Sequence, residues 1–264
     1  MHYLKLIIVL VLFNFTGFSQ GSSIESLKKS LDTSKNDTLR CDILDQLIEI
    51  AADGEWQKYN EQMKQLALKK LALKPTGRTL IVFSKYYANA LHNQGIIYSE
   101  QSNDDKALEY FNKAIDVSKQ SGNKNEMAIS LQAIAQLDIR KGNNTKALNQ
   151  LYECLKIFEE VGDEIGVADV HLSIGDICYL QQEFSKAVEH HQKSRKLYIK
   201  NDYEVAISTI NFKIGVDFNA LEDYPKALEY LQKSIDAVEN SDIGVNSVAY
   251  LNIAQIYIYQ NQYD

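Results

Sequence analysis

Side chains able to do chemistry are few and poorly gathered in this sequence of 264 residues. Catalysis needs convergent groups, such as a nucleophile beside a base or two carboxylates in unlike surroundings. No Gly-rich phosphate loop, Gly-x-Ser-x-Gly elbow or paired-histidine metalloprotease signature is present. Acidic residues are scattered along what read as exposed helix faces, the pattern of solvated surface. Three histidines do cluster, His171, His190 and His191. The sharp interpretation of His171 with His191 is a polar cluster that titrates near neutral pH or takes a metal. The plain one is two half-buried histidines bonded to each other or to water. The plain one is favoured, because no carboxylate or cysteine spacing completes a ligand set. Cys41, Cys154 and Cys178 show no metal spacing and cannot all pair within one chain. They read as small buried hydrophobes. The expectation is a chain with no catalytic residue, no metal and no cofactor.

The elements that must position these residues are helices. The chain has only 2 Pro and 12 Gly, which leaves little punctuation for hairpins of strands. One phrase occurs four times: KALEYFNKAI from Lys106, KALNQLYECL from Lys146, KAVEHHQKSR from Lys186 and KALEYLQKSI from Lys226. The starts are 40 residues apart each time. Twelve residues before Ala107, Ala147, Ala187 and Ala227 stand Gly95, Ala135, Gly175 and Gly215, all small, and a fifth unit opens around Ala254. Within each half the apolar residues keep helical period: Ala107, Phe111, Ala114 and Ile115 form one face, Leu91, Gly95 and Tyr98 another. Short polar turns separate the halves. One such hairpin cannot bury its apolar face, whereas stacked neighbours can. The repeated small residues suggest close approach of two helices, with Gly95 facing Ala107.

The small residue, an aromatic three on, an alanine twelve on, then Phe111 and Ala114, together resemble the tetratricopeptide repeat (TPR), in a 40-residue long-helix variety. The resemblance covers about residues 78 to 264. It implies an all-α fold, a right-handed superhelical solenoid of antiparallel helix pairs. Two departures stand out: the family's closing proline is absent, with Lys119 near its place, and Asp138 replaces the aromatic of the second unit. By the same resemblance His171, where Leu91 and Leu131 stand in earlier units, should face His191, where Phe111, Leu151 and Leu231 stand. Asn211 takes the His171 position in the next unit.

The resemblance further implies that the first helices line an inner groove. Its residues would be Asn89, His92, Ile96 and Ser99, then Gln132, Gln136 and Ile139. Leu172, Asp176 and Tyr179 continue it, followed by Phe212, Val216 and Asn219, then Leu251, Gln255 and Ile258. Apolar side chains mixed with amides suit a peptide or a helix. Members that clasp a terminal carboxylate do so with a Lys/Arg/Asn set; His92, Ile96 and Gln132 hold those places here, which disfavours that ligand. A protein or peptide partner is therefore expected. A net charge of -7 argues against nucleic acid.

The N-terminus is separate. Lys5 precedes an apolar run from Leu6 to Phe13, then Gly17 and Ser19 at small positions. The run is too short for a permanent span, so residues 1–19 read as a secretory signal and the protein as exported, periplasmic or at the cell surface. Residues 20–37 are expected as a loose lead-in with a marginal helix over Ile24 to Leu31, 38–77 as a degenerate capping pair, and 78–264 as four repeats and the start of a fifth. No later stretch is apolar enough to cross a membrane. The expected function is a non-catalytic interaction scaffold. The alternative is the periplasmic sensor portion of a larger membrane-bound signalling protein, a histidine kinase or DNA-binding regulator, cut at Asp264 in mid-repeat.

Overall fold

The computed structural model describes residues 19–52, 54–239 and 247–261. Among these the chain forms twelve α-helices, one short 3-10 turn and no strand. The helices are α1 (Ser19–Thr33), α2 (Asp37–Ile50), α3 (Trp56–Leu71), α4 (Gly77–Glu100), α5 (Asp104–Ser121) and α6 (Lys124–Arg140). They continue as α7 (Asn144–Val161), α8 (Glu164–Leu180), α9 (Phe184–Lys200), α10 (Ile207–Ala220), α11 (Tyr224–Glu239) and α12 (Ser247–Asn261). The 3-10 turn, Glu204–Ala206, sits between α9 and α10. The secretory signal expected over 1–19 lies outside the described residues but for Ser19. The expected lead-in carries a longer helix than the marginal one assigned to it. α1 buries Leu31 and rests Ile24 and Leu27 on the cluster of α2, α3 and α4.

The fold is an all-α solenoid of antiparallel pairs: α4/α5, α6/α7, α8/α9 and α10/α11, preceded by α2/α3. Local chemistry fixes where each helix stops. Residues 102, 142, 182 and 222 end the first helices and all take the left-handed conformation, as Ser102, Gly142, Gln182 and Glu222 (φ 57°, 77°, 61° and 61°). The turn between units repeats the device at Gly122, Gly162 and Asp202 (φ 73°, 76° and 52°). A left-handed residue lets the next amide reach back to the last carbonyls of the finished helix. Asn103 and Asp163 then cap the following helices by accepting from the amides of Lys106 and Gly166.

Curvature follows from which helices touch. The first helices approach one another in succession, α4 to α6, α6 to α8 and α10 to α12, whereas α5, α7, α9 and α11 do not approach one another so closely. The first helices therefore lie on the inner, concave side.

The small residues work differently from the simple Gly–Ala contact expected. A carbon added at Gly95 would lie 2.5 Å from the Phe111 ring, at Gly175 2.4 Å from the His191 ring, and at Gly215 2.8 Å from Leu231. Each glycine thus makes room for the large side chain four residues beyond the alanine. Ala107, Ala147, Ala187 and Ala227 are wholly buried, as is Ala135. Ala254 is exposed, because no described helix covers that side of α12.

Candidate functional site

The inner helices present a regular stripe. From α4 to α10 every residue expected in the groove is half-buried: Asn89, His92, Ile96 and Ser99 on α4; Gln132, Gln136 and Ile139 on α6; Leu172, Asp176 and Tyr179 on α8; Phe212, Val216 and Asn219 on α10. Leu251, Gln255 and Ile258 on α12 are exposed. The period of 40 brings equivalent side chains into rows that run from helix to helix.

Several of these residues are engaged with the neighbouring helix. The Gln136 amide donates to Ser173 Oγ at 2.6 Å, and Lys213 Nζ donates to Asp176 Oδ1 at 2.6 Å. Gln136 and Asp176 are equivalent positions, as are Ser173 and Lys213. In the first joint the same places hold Ile96 and Ala133, which share an apolar cluster. Arg140 donates to Ser99 Oγ (2.8 Å) and Asp104 (3.0 Å), and His92 Nδ1 lies 3.3 Å from Ser130 Oγ. Burial holds the His92 imidazole down to about 4, so it is neutral at pH 7. Gln136 and Asp176, offered above as groove readers, therefore also fasten one unit to the next.

The histidines rearrange the expectation. His171 does not face His191; its Nδ1 lies 3.1 Å from His190 Nδ1, one nitrogen donating and the other accepting. The rotation of α9 about its axis places residue 190, not 191, beside residue 171. Burial pushes the His171 imidazole down to about 4, with His190 adding to the effect. His191 is fully buried and points to the next unit. Its Nδ1 is 2.6 Å from Asp217 Oδ2, and its Nε2 is 3.4 Å from Asp176 Oδ1. The sequence did carry a signal for these carboxylates: Asp217 stands 40 residues after Ile177, at a place held by Ile97 and Leu137. Among the described residues no three His, Cys, Asp or Glu side chains form a metal-binding group.

The lysine that opens each second helix explains Asp138. Lys106 lies over the Tyr98 ring and Lys226 over Phe218, each 5.0 Å from the centroid. In the second unit Lys146 Nζ is 3.0 Å from Asp138 Oδ2. A cation meets a ring face in two units and a carboxylate in another, and both stabilise it. The cysteines are buried and free, and burial raises the Cys41 and Cys154 thiols to about 12. No described helix is long and apolar enough to cross a membrane.

Paired helices in register every 40 residues, small residues under large side chains, and a half-buried inner stripe define a protein of the tetratricopeptide class, a helical repeat array built around an open concave wall. Within that class the chain belongs to the SNAP family (soluble NSF attachment protein), whose model matches residues 84–254. No curated protein matches it. Among solved structures it is similar to BtubC (BKLC) from P. vanneervenii, with 15% identity over 84% of this chain and 91% of that one and a TM-score of 0.63. A signal-transduction ATPase with numerous domains and a tetratricopeptide repeat sensor, from Pyrococcus horikoshii, is 16% identical. That match spans 97% of this chain but only 38% of the ATPase, with a TM-score of 0.61. The apo form of RapI is 14% identical over 84% and 77% of the two chains, with a TM-score of 0.55. These likenesses establish the shared fold.

Proposed function

We propose that this chain is a non-catalytic interaction scaffold of the long-helix, 40-residue repeat kind, which takes a peptide or protein segment in its concave groove outside the cytoplasm. The observation that carries this is the unbroken half-buried stripe from Asn89 to Asn219. Side chains that are neither core nor free surface form a pre-shaped wall whose burial a partner would complete. The C-terminal part of that wall, Leu172, Tyr179, Phe212 and Val216, is apolar and suits the hydrophobic face of a partner helix. The amides Asn89, Gln132 and Asn219 suit polar contacts with a partner's backbone. Export rests on the Lys5-led apolar run and the small residues before Gln20. The test pairs Tyr179→Ala/Phe212→Ala with the outer-surface change Tyr152→Ala in co-purification from the cell envelope. The inner pair should lose the partner and the outer change should keep it; retention by the inner pair overturns the groove assignment. N-terminal sequencing of the secreted protein should begin at Gln20.

A second possibility is the sensory portion of a larger signalling protein. It is favoured by the likeness to the multidomain ATPase, in which a repeat sensor shares a chain with other domains. An apolar stretch of ~20 residues encoded after Asp264 would support it, and further repeats followed by a stop codon would count against it.

A further inference from the structure

Each joint between units brings together two residues of a second helix and two of the following first helix. At the first joint these are Phe111, Ile115, Leu131 and Leu137, all in one apolar cluster. The equivalent positions of the second joint hold Leu151, Leu155, His171 and Ile177, apolar but for the histidine. At the third, between α9 and α10, all four are polar: His191, Arg195, Asn211 and Asp217. The structure pairs them across the joint. His191 Nδ1 meets Asp217 Oδ2 at 2.6 Å and Arg195 Nε donates to Asn211 Oδ1 at 2.6 Å. His191, Asn211 and Asp217 are buried. The polar exceptions to the repeat are thus each other's partners. The same joint differs in two more ways. The 3-10 turn Glu204–Ala206 interrupts the connection. An ion pair, Asp176 with Lys213, joins α8 to α10.

We propose that the third joint is a proton-dependent clasp, in which the protonated imidazole of His191, held between Asp217 of α10 and Asp176 of α8, fastens the third hairpin to the fourth. The titratable and charged groups around it are Asp176 and Cys178 on α8, His190 and Arg195 on α9, and Lys213 and Asp217 on α10. With the proton in place His191 and Lys213 balance the two carboxylates. Without it a buried carboxylate is left uncompensated, a costly arrangement. Burial alone would drive the proton off His191, but the hydrogen bond to Asp217 and the negative charges of Asp176 and Asp217 outweigh it and raise its affinity for the proton. A raised histidine adds stability that is complete below the unfolded value of 6.5 and is lost as pH climbs through the folded value. The clasp is therefore closed below 6.5 and opens as pH climbs through the folded value of His191, at the third joint and not at the apolar ones. This goes beyond the groove assignment and does not depend on it.

Three measurements on the full chain test it: histidine ring NMR titration, with His191→Gln to assign the signal; amide-exchange protection between pH 6 and 9; and the same exchange in His191→Leu/Asp217→Ile. The double variant installs the residues of the preceding unit, Leu151 and Ile177. His191 should titrate above 6.5. Protection of α10 and α11, corrected for intrinsic exchange, should fall more than that of α6 and α7, and this difference should vanish in the double variant. A His191 titration at or below 6.5, or an equal alkaline loss in the double variant, overturns the proposal. Should the double variant not fold, the His191 titration decides alone.

Discussion

Replacing Gly95 by alanine adds one carbon to a helix, a change that in solvent would help. Alanine exceeds glycine in helix preference by about 1 kcal/mol. Here the new carbon would fall 2.5 Å from Phe111 Cε1 and 2.6 Å from Cδ1, well inside van der Waals contact. Phe111 cannot easily yield: it is 1% exposed, and the His92 ring lies 5.2 Å from it on the groove side. Overpacking of this kind costs about 1–3 kcal/mol, so after the helix-preference gain the net loss should be about 0–2 kcal/mol. The second unit supplies the remedy, since Ala135 and Leu151 fill the equivalent places without exposure. In a Phe111→Leu background Gly95→Ala should be neutral or stabilising, and the two changes should couple favourably by about 2 kcal/mol. Urea unfolding of the four proteins, followed by circular dichroism, measures the coupling. An equal cost of Gly95→Ala in both backgrounds would show that backbone approach, not the aromatic ring, dictates glycine there.

Acid should weaken the array through two of its histidines. His92 and His171 are held near 4 in the fold against 6.5 when unfolded, so the unfolded chain binds more protons between those values and stability falls as pH drops through that window. His171→Leu, the residue of the two preceding units, should flatten part of that decline in urea midpoints taken at pH 7 and pH 5. Gln182→Gly and Glu222→Gly should each raise stability by about 0.5–1 kcal/mol, because left-handed backbone strains any residue with a β-carbon; thermal unfolding checks it, and a loss at both sites would refute the strain. Cys41 and Cys154 should resist iodoacetamide in the native protein and react once urea unfolds it, as buried thiols raised to about 12 supply almost no thiolate. Rapid native labelling would contradict that.

The repeat made the fold legible. A single hairpin carries modest evidence, but Lys106, Lys146, Lys186 and Lys226 place the same helix start four times, and α5, α7, α9 and α11 all begin within two residues of them. The inner stripe was legible for the same reason, since one aligned residue fixes its neighbours by helical period. What escaped was pairing between units. The repeat pattern sets His191 against His171 across its own hairpin, whereas its hydrogen-bond partner, Asp217, belongs to the next unit. Aligning Asp217 with Ile97, Leu137 and Ile177 exposes a buried carboxylate in need of a cation, but not which cation answers it. Rotation about α9 decided whether residue 190 or 191 met His171, and such rotation lies below the resolution of a periodic pattern. α1 was underrated because its short polar sequence gains helicity from docking Leu31, a tertiary effect.

The lateral fastening of the inner helices also has a mechanical meaning. Along one row it passes from an apolar contact at Ile96 and Ala133, through the neutral bond of Gln136 to Ser173, to the half-exposed ion pair of Asp176 and Lys213. Only the last of these is screened by dissolved salt. Along this row, then, the fastenings are unequal: dissolved salt leaves the apolar and neutral contacts between the earlier units untouched and loosens the one between the third and fourth.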